Sequence, residues 1–250
     1  MRFRTTPSAQ ERLAGLQAIL FDLDGTLIDT VELIRVSFRY ATRTVLGHEL
    51  PDEVTMANVG QPLAQQFRDM APDHADELLC VYREYNMARH DELAKEYPGT
   101  AETLEEIARR RIPMGVVTSK GAQATDRGLD LFDLHRFMRV VITADDVPVH
   151  KPDPYPLAFA AGLLGAELEY CIYVGDSPHD MQAAVSGGAV SVAALWGAFG
   201  VRDVLAPGPD YSLERIGDLI ALLDGCAVEY AVDRSAGASK APERRMEDLR

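Results

Sequence analysis

A doubly wound parallel α/β sheet with an inserted α-helical unit is the fold predicted for this 250-residue chain. Three observations predict it. Short, nearly continuous apolar runs alternate with helical patterns, as parallel strands covered by helices on both faces require. One long stretch, residues 30–97, breaks that alternation: it holds helical runs and no convincing buried strand. Acidic or hydroxyl side chains end several of the apolar runs, where open α/β sheets place their sites.

Taken in order, strands are predicted over residues 17–22, 114–118, 139–143, 170–175 and 191–195. Helices are predicted over 101–111, 122–131, 154–164, 179–187 and 213–223, and within the insertion over 31–46, 61–70 and 75–93. Asp29 and Glu32 have capping-box spacing for the first inserted helix, so Asp29 is read as structural rather than metal-binding. Residues 1–15 read as a loose leader. Arg2 and Arg4 have no apolar stretch behind them, so this end is neither a secretory signal nor a membrane span. Residues 233–250 mix small residues with charges of both signs and lack apolar periodicity, which predicts a disordered tail. The division that results is a leader, a core over 16–29 and 98–232, an inserted unit over 30–97, and a tail.

Composition narrows the function without choosing it. Hydrophobic residues at 47% and charged residues at 26% are ordinary, and the length suffices for a substantial core. A formal net charge of −14 offers no basic stripe to replace counterions, which argues against a general nucleic-acid binder. It does not exclude a small anionic substrate in a locally neutralised pocket. No long apolar span is present, so a membrane pump is excluded. Cys80, Cys171 and Cys226 are few, odd in number and far apart, which fits a reducing cytoplasm. Cys171 lies inside an apolar run and reads as a small core residue. Either a monomer or a small homo-oligomer is compatible with the chain.

The chemistry concentrates in four stations. Phe21-Asp22-Leu23-Asp24-Gly25-Thr26 follows the apolar Ala18-Ile19-Leu20. A turn at Gly25 can swing Asp24 back over Asp22, so one carboxylate can attack while the other moves protons. Next come Ile112-Pro113-Met114-Gly115-Val116-Val117-Thr118-Ser119, an apolar run ending in hydroxyls, and His150-Lys151-Pro152, an isolated cation ahead of a helix. The last is Tyr170-Cys171-Ile172-Tyr173-Val174-Gly175-Asp176-Ser177-Pro178-His179-Asp180, an apolar strand ending in acids. In this order the four stations resemble the motifs of the haloacid-dehalogenase superfamily of aspartyl-phosphate phosphatases.

That resemblance implies a Rossmann-type core with the Asp22 strand central, and a helical cap hinged at Asp29-Thr30 and Tyr97-Pro98-Gly99. It implies Asp22 as nucleophile and Asp24 as general acid, then base. A dehalogenase would not need Asp24, because halide leaves without a proton. Like charges oppose the attack, by roughly 4 kcal/mol per pair at about 4 Å and a dielectric near 20. The resemblance answers this with Mg2+ held by Asp22, Asp176 and the backbone carbonyl of Asp24. Thr118 and Ser119 would bind the phosphoryl group, Lys151 would offset charge, and Asp180 would support from behind. Lys120 reads as a surface residue, and His179 as a first-turn residue at the rim.

For the substrate, Gly60-Gln61-Pro62-Leu63 resembles the cap loop of phosphoglycolate-phosphatase-like members. Tyr82-Arg83-Glu84-Tyr85-Asn86 with His90-Asp91-Glu92-Leu93 resembles the bacterial inorganic pyrophosphatase branch. Asn86 and His90 share a helix face at i, i+4, so together with Gln61 they are expected at the substrate, assisted by Arg83 or Arg89. The competing reading has them solvating the outer face of a cap helix. The activity expected is Mg2+-dependent hydrolysis of a small phosphorylated metabolite, with pyrophosphate and 2-phosphoglycolate foremost. A phosphomutase is the alternative enzyme. A catalytically silent phosphate-binding module is disfavoured, because it would need neither Asp22 nor Asp24.

Overall fold

The computed structural model describes residues 8–225; residues 1–7, Cys226 and the 233–250 tail lie outside the described residues. Where the sequence predicts a loose leader, the chain forms a helix, α1 (Ala9–Ala14). Ser8 accepts from the Glu11 amide while the Glu11 carboxylate accepts from the Ser8 amide, a capping box. Arg12 then ties the helix down, donating to the carbonyls of Gly188 and Ala189 at 2.6 and 3.0 Å and pairing with Asp210 at 3.0 Å. The leader expectation is therefore corrected for residues 8–15, whose anchors are too distant in sequence for any local pattern to reveal. Because the Arg12–Asp210 pair is almost wholly buried, Arg12→Ala should destabilise the protein by about 3 kcal/mol, read as a lowered urea midpoint with an unchanged slope.

The chain continues through β1 (Ala18–Phe21), β2 (Ile28–Asp29), α2 (Val31–Leu46), α3 (Asp52–Thr55), α4 (Leu63–Met70), α5 (Ala75–Leu93), β3 (Lys95–Glu96) and α6 (Thr100–Arg109). It then runs through β4 (Met114–Val117), α7 (Ala122–Leu131), β5 (Met138–Ile142), α8 (Tyr155–Leu163), β6 (Cys171–Gly175) and α9 (Pro178–Gly187), and finally β7 (Val190–Ala194), α10 (Val201–Leu205), β8 (Tyr211–Leu213) and α11 (Asp218–Leu223).

Six of these strands form one parallel sheet in the order β5-β4-β1-β6-β7-β8. β1 is central, with Phe21 opposite Val116 on one side and Val174 on the other. Its alternation serves two cores. Ile19 and Phe21 join Leu104, Ile107, Leu219 and Leu222 from α6 and α11. Ala18 and Leu20 join Leu157, Ala160, Ala183 and Ala184 from α8 and α9. Ile19, Leu20 and Phe21 are fully buried, each contributing about 2 kcal/mol of apolar transfer, which explains why this strand reads as an unbroken apolar run. The chain moves outward from β1 through β4 to β5, then crosses back to β6. The strand order thus reverses between β1 and β6, and the crevice for a ligand lies beyond their carboxyl ends. Cys171 is buried in β6, with its Sγ donating to the Glu167 carbonyl, a core residue as expected.

The helical run predicted over 213–223 shortens to α11, and its first residue, Leu213, ends β8. Three residues are too few to show alternation, and it is pairing with β7 (Val192 opposite Tyr211) that makes them a strand. Over the insertion, α2, α4 and α5 gather their own apolar cluster around Phe38, Phe67, Leu78 and Tyr82. Its aromatic rings meet edge to face, with centroids 4.9 to 5.8 Å apart. β2 and β3 form an antiparallel ribbon that carries both chain crossings between this unit and the sheet. The ribbon also overrides the predicted capping box. Asp29 is held opposite Lys95, Thr30 becomes the N-cap of α2, and Asp29 accepts only from the Val31 amide while Glu32 pairs with Arg35. No helix among the described residues is long and apolar enough to cross a membrane.

Candidate active site

Asp22 leaves the end of β1 into a tight turn, in which the Leu27 and Ile28 amides both donate to the Leu23 carbonyl. Gly25 sits in that turn at φ +81°, and a methyl group there would stand 2.3 Å from Asp176 Oδ2. Only glycine permits both the left-handed backbone and this approach. Asp176 itself leaves the end of the neighbouring β6. One turn into α9, Asp180 closes a capping box with Ser177, the N-cap. One carboxylate oxygen from each of Asp22, Asp176 and Asp180 lies within 4.8 Å of the other two, and all three residues are buried.

Lys151 enters beneath them from the loop before α8. Its Nζ stands 3.0 Å from Asp22 Oδ1, 2.6 Å from Asp180 Oδ1 and 3.0 Å from the Tyr173 hydroxyl. Asp180 Oδ1 also accepts from Tyr173 at 2.9 Å, while its Oδ2 accepts from the Ser177 amide and hydroxyl. Four donors saturate Asp180. It therefore orients Lys151, leaving Asp22 and Asp176 as the carboxylates with capacity to spare. Tyr173 was absent from the residues singled out by sequence. Its one signal is a phenol inside an apolar strand, which when fully buried requires a hydrogen-bond partner.

The electrostatics follow from three buried carboxylates with one buried ammonium. Burial raises Asp22 to about 7; Lys151 opposes the rise and Asp180 adds to it. Asp176 is driven well above the usual carboxylate range by burial, then by Asp180 and Asp22. Asp180 goes the other way: burial opposes its charge, but Lys151 and the Ser177 and Tyr173 hydroxyls outweigh that and lower it. Lys151 is likewise raised despite burial, because Asp180 and Asp22 hold its proton. The donor set fits a hard divalent cation, since all the available atoms are oxygens and three carboxylates outnumber the one ammonium among them. Cation binding requires Asp22 and Asp176 ionised. The affinity for such a cation should therefore fall as pH drops below about 7, by up to roughly tenfold per unit for each proton released. Calorimetry in buffers of different ionisation enthalpy checks both the slope and the proton count.

Above this floor lies a cavity of about 430 Å³, bounded by the helical unit and by the loops after β4 and β6. Asp24, Thr118 and Ser119 line it, as does Asn86 from α5, which is buried and donates to Ser37. Gln61 lines it too and reaches across to His179, nitrogen to nitrogen at 2.9 Å, so His179 bridges the helical unit to the core. Two expectations need correcting. Lys120 is no free surface residue: its Nζ lies 2.7 Å from Asp24 Oδ1, which also accepts from Thr30 at 2.7 Å. His90 does not line the cavity. It is fully buried beside Asp91, with Nε2 next to Gly128 of α7. It shares the buried face of α5 with Asn86, but a four-residue step along the helix is about 6 Å and carries it past the cavity. Arg83 stands at the cavity wall, whereas Arg89 pairs with Glu92 outside it.

With this geometry established, the comparisons with known proteins agree. Residues 19–194 match the haloacid dehalogenase-like hydrolase family. Pyrophosphatase PpaX from Bacillus velezensis is 37% identical over 203 residues, covering 81% of this chain and 94% of its own. A hydrolase from Pseudomonas syringae superposes with a TM-score of 0.76 at 25% identity, over 84% of this chain and 99% of that one. A predicted phosphoglycolate phosphatase from Haemophilus somnus superposes at 0.73 and 24% identity, over 83% and 98%, a likeness of fold.

Proposed function

The chain belongs to the haloacid dehalogenase-like hydrolase family and is a phosphatase of that family, and on that premise we propose that it hydrolyses a small phosphorylated metabolite through an aspartyl-phosphate on Asp22, with Mg2+ as cofactor. The observation that carries the proposal is the convergence of Asp22, Asp176 and Lys151 at the floor of one cavity, with Asp24 at its wall.

The Asp22 carboxylate attacks phosphorus in line, and the bond from phosphorus to the leaving oxygen breaks with its electron pair. Asp24 gives that oxygen a proton. It then takes one from the water that attacks phosphorus and frees Asp22. Lys120 and Thr30 both hold Asp24 Oδ1, which leaves Oδ2 to exchange the proton. Thr118 donates to a phosphoryl oxygen, and Lys151 keeps Asp22 ionised and aimed. Asp22, Asp176 and the main-chain carbonyl of Asp24 would hold a magnesium ion, which would supply positive charge to the phosphoryl oxygens. The helical unit acts as a cap that excludes bulk water, with the β2–β3 ribbon as its hinge. Distant, unpaired Cys80 and Cys171 fit the reducing cytoplasm as its compartment.

Pyrophosphate and 2-phosphoglycolate head the substrates. The first is supported by the name of the Bacillus relative and by Asn86 and Arg83 on the cavity wall. The second is supported by the cap-loop residue Gln61 at the same wall. Phosphate release should be measured from both, from a sugar phosphate and from p-nitrophenyl phosphate, each with Mg2+ and with a chelator. Mg2+-dependent release with one of the first two preferred supports the proposal. A strong preference for the sugar phosphate removes both substrates, conversion without net release marks a phosphomutase, and no turnover of any leaves a silent module.

A further inference from the structure

The strap between β7 and α10 has no part in the chemistry above, yet it lies in direct contact with Asp176. Its Ala198 amide donates to Asp176 Oδ2 at 2.7 Å. A methyl group on Gly197 would stand 2.2 Å from Asp176 Cβ, so the strap lies directly on that side chain. From the turn after β1, Gly25 comes as close, since a methyl group there would stand 2.3 Å from Asp176 Oδ2, and the Thr26 hydroxyl stands 3.4 Å from Asp176 Oδ1. The half-buried Trp196 locks the two sides together: its indole N–H donates to the Thr26 carbonyl at 3.0 Å. The ends of the strap are fixed by Leu195 and Phe199, which pack with Met181 and Val204. The ring of Trp196 meets edge-on that of Tyr97, at the hinge of the helical unit, with centroids 6.5 Å apart.

We infer that the 195–199 strap is a positioning device for Asp176, with Trp196 as the clasp that sets this carboxylate for the divalent cation. The inference rests on the reading of Asp22 and Asp176 as cation ligands. Without the indole N–H, the strap and the Asp24–Thr26 turn lose their shared tie. Asp176 then keeps the Ala198 amide and the Thr26 hydroxyl, but on two segments no longer tied to each other, and must be ordered when the ion binds. Partners that orient ligands in this way typically contribute about 10- to 100-fold to metal affinity. Trp196 acts one bond further away, so the lower end applies.

Two measurements on the full chain test it. Trp196→Phe keeps a ring against Tyr97 and removes the donor; calorimetry should show Mg2+ binding about tenfold weaker than wild type, with the substrate KM at saturating Mg2+ within about twofold. Wild-type Mg2+ affinity in the folded variant overturns the inference. Trp196 is the single tryptophan of the chain, so its emission reports the strap directly. In the wild type it should change saturably with Mg2+, at the calorimetric midpoint, and the change should vanish in Asp176→Asn. Flat emission overturns the inference even where Trp196→Phe does not fold. Wild-type protein that binds no Mg2+ overturns the cation reading itself, a failure distinct from that of the clasp.

Discussion

Asp22→Asn should lower kcat by at least about 1000-fold while the protein folds normally. The amide has the shape of the carboxylate but cannot form the acyl phosphate, and among the described residues the neighbouring oxygens are placed or held elsewhere. Thr118 and Ser119 end β4, one strand away, and Asp176 and Asp180 are held by donors of their own. The same substitution carries a second, opposite signature. Burial raises the Asp22 carboxyl to about 7, so the folded state binds a proton that the unfolded chain releases near pH 4. Stability due to this group is present below its unfolded value and is lost as pH rises toward 7. Above pH 7, without metal, the ionised carboxylate destabilises the fold, and Asp22→Asn should stabilise it by about 2 kcal/mol. Denaturant midpoints at pH 8 in a chelator, set beside turnover with Mg2+, check both effects. Residual turnover above about a tenth of wild type contradicts the nucleophile assignment.

Lys151→Met should be damaging in both respects. Among the described residues its ammonium is the one cation buried among Asp22, Asp176 and Asp180, and methionine fills the same volume without charge. Removing one partner of a buried ion pair typically costs about 3–5 kcal/mol, because the other charge is left uncompensated. The deficit should shrink as pH falls: without Lys151, Asp22 and Asp180 take up protons more readily and lose the charge that destabilises them. Turnover should drop about 1000-fold, since the same ammonium keeps Asp22 ionised for attack. Urea unfolding at pH 8 and pH 5 decides the stability claim; equal loss at both values would show that packing, not charge, made Lys151 necessary.

The sequence failed at identifiable places. Lys120 follows Thr118 and Ser119 in a loop, where local pattern makes it a solvated lysine. It pairs with Asp24 only because β4 and β1 lie side by side, with Val116 opposite Phe21. His90 and Asn86 share a helix face, as their spacing requires, but spacing cannot tell where along that face the cavity ends. Asp29 has the residue pattern of a cap, yet pairing with Lys95 across the ribbon takes it out of the helix start. Arg12 sits in a charged leader whose partners are about 180 residues away.

What the chain determines by itself is what local chemistry encodes. Apolar runs long enough for a strand mark β1, β4, β6 and β7; carboxylates directly after β1 and β6 mark a site; and their order along the chain marks the family. The tertiary structure alone decided which charges meet. The strand order brings Asp22 and Asp176 to one crevice, slides Lys151 and Tyr173 beneath them and folds the Trp196 strap across Asp176. Hydrophobic period is a property of neighbours in sequence, whereas an ion pair depends on distance and burial, which exist only once separate segments have packed.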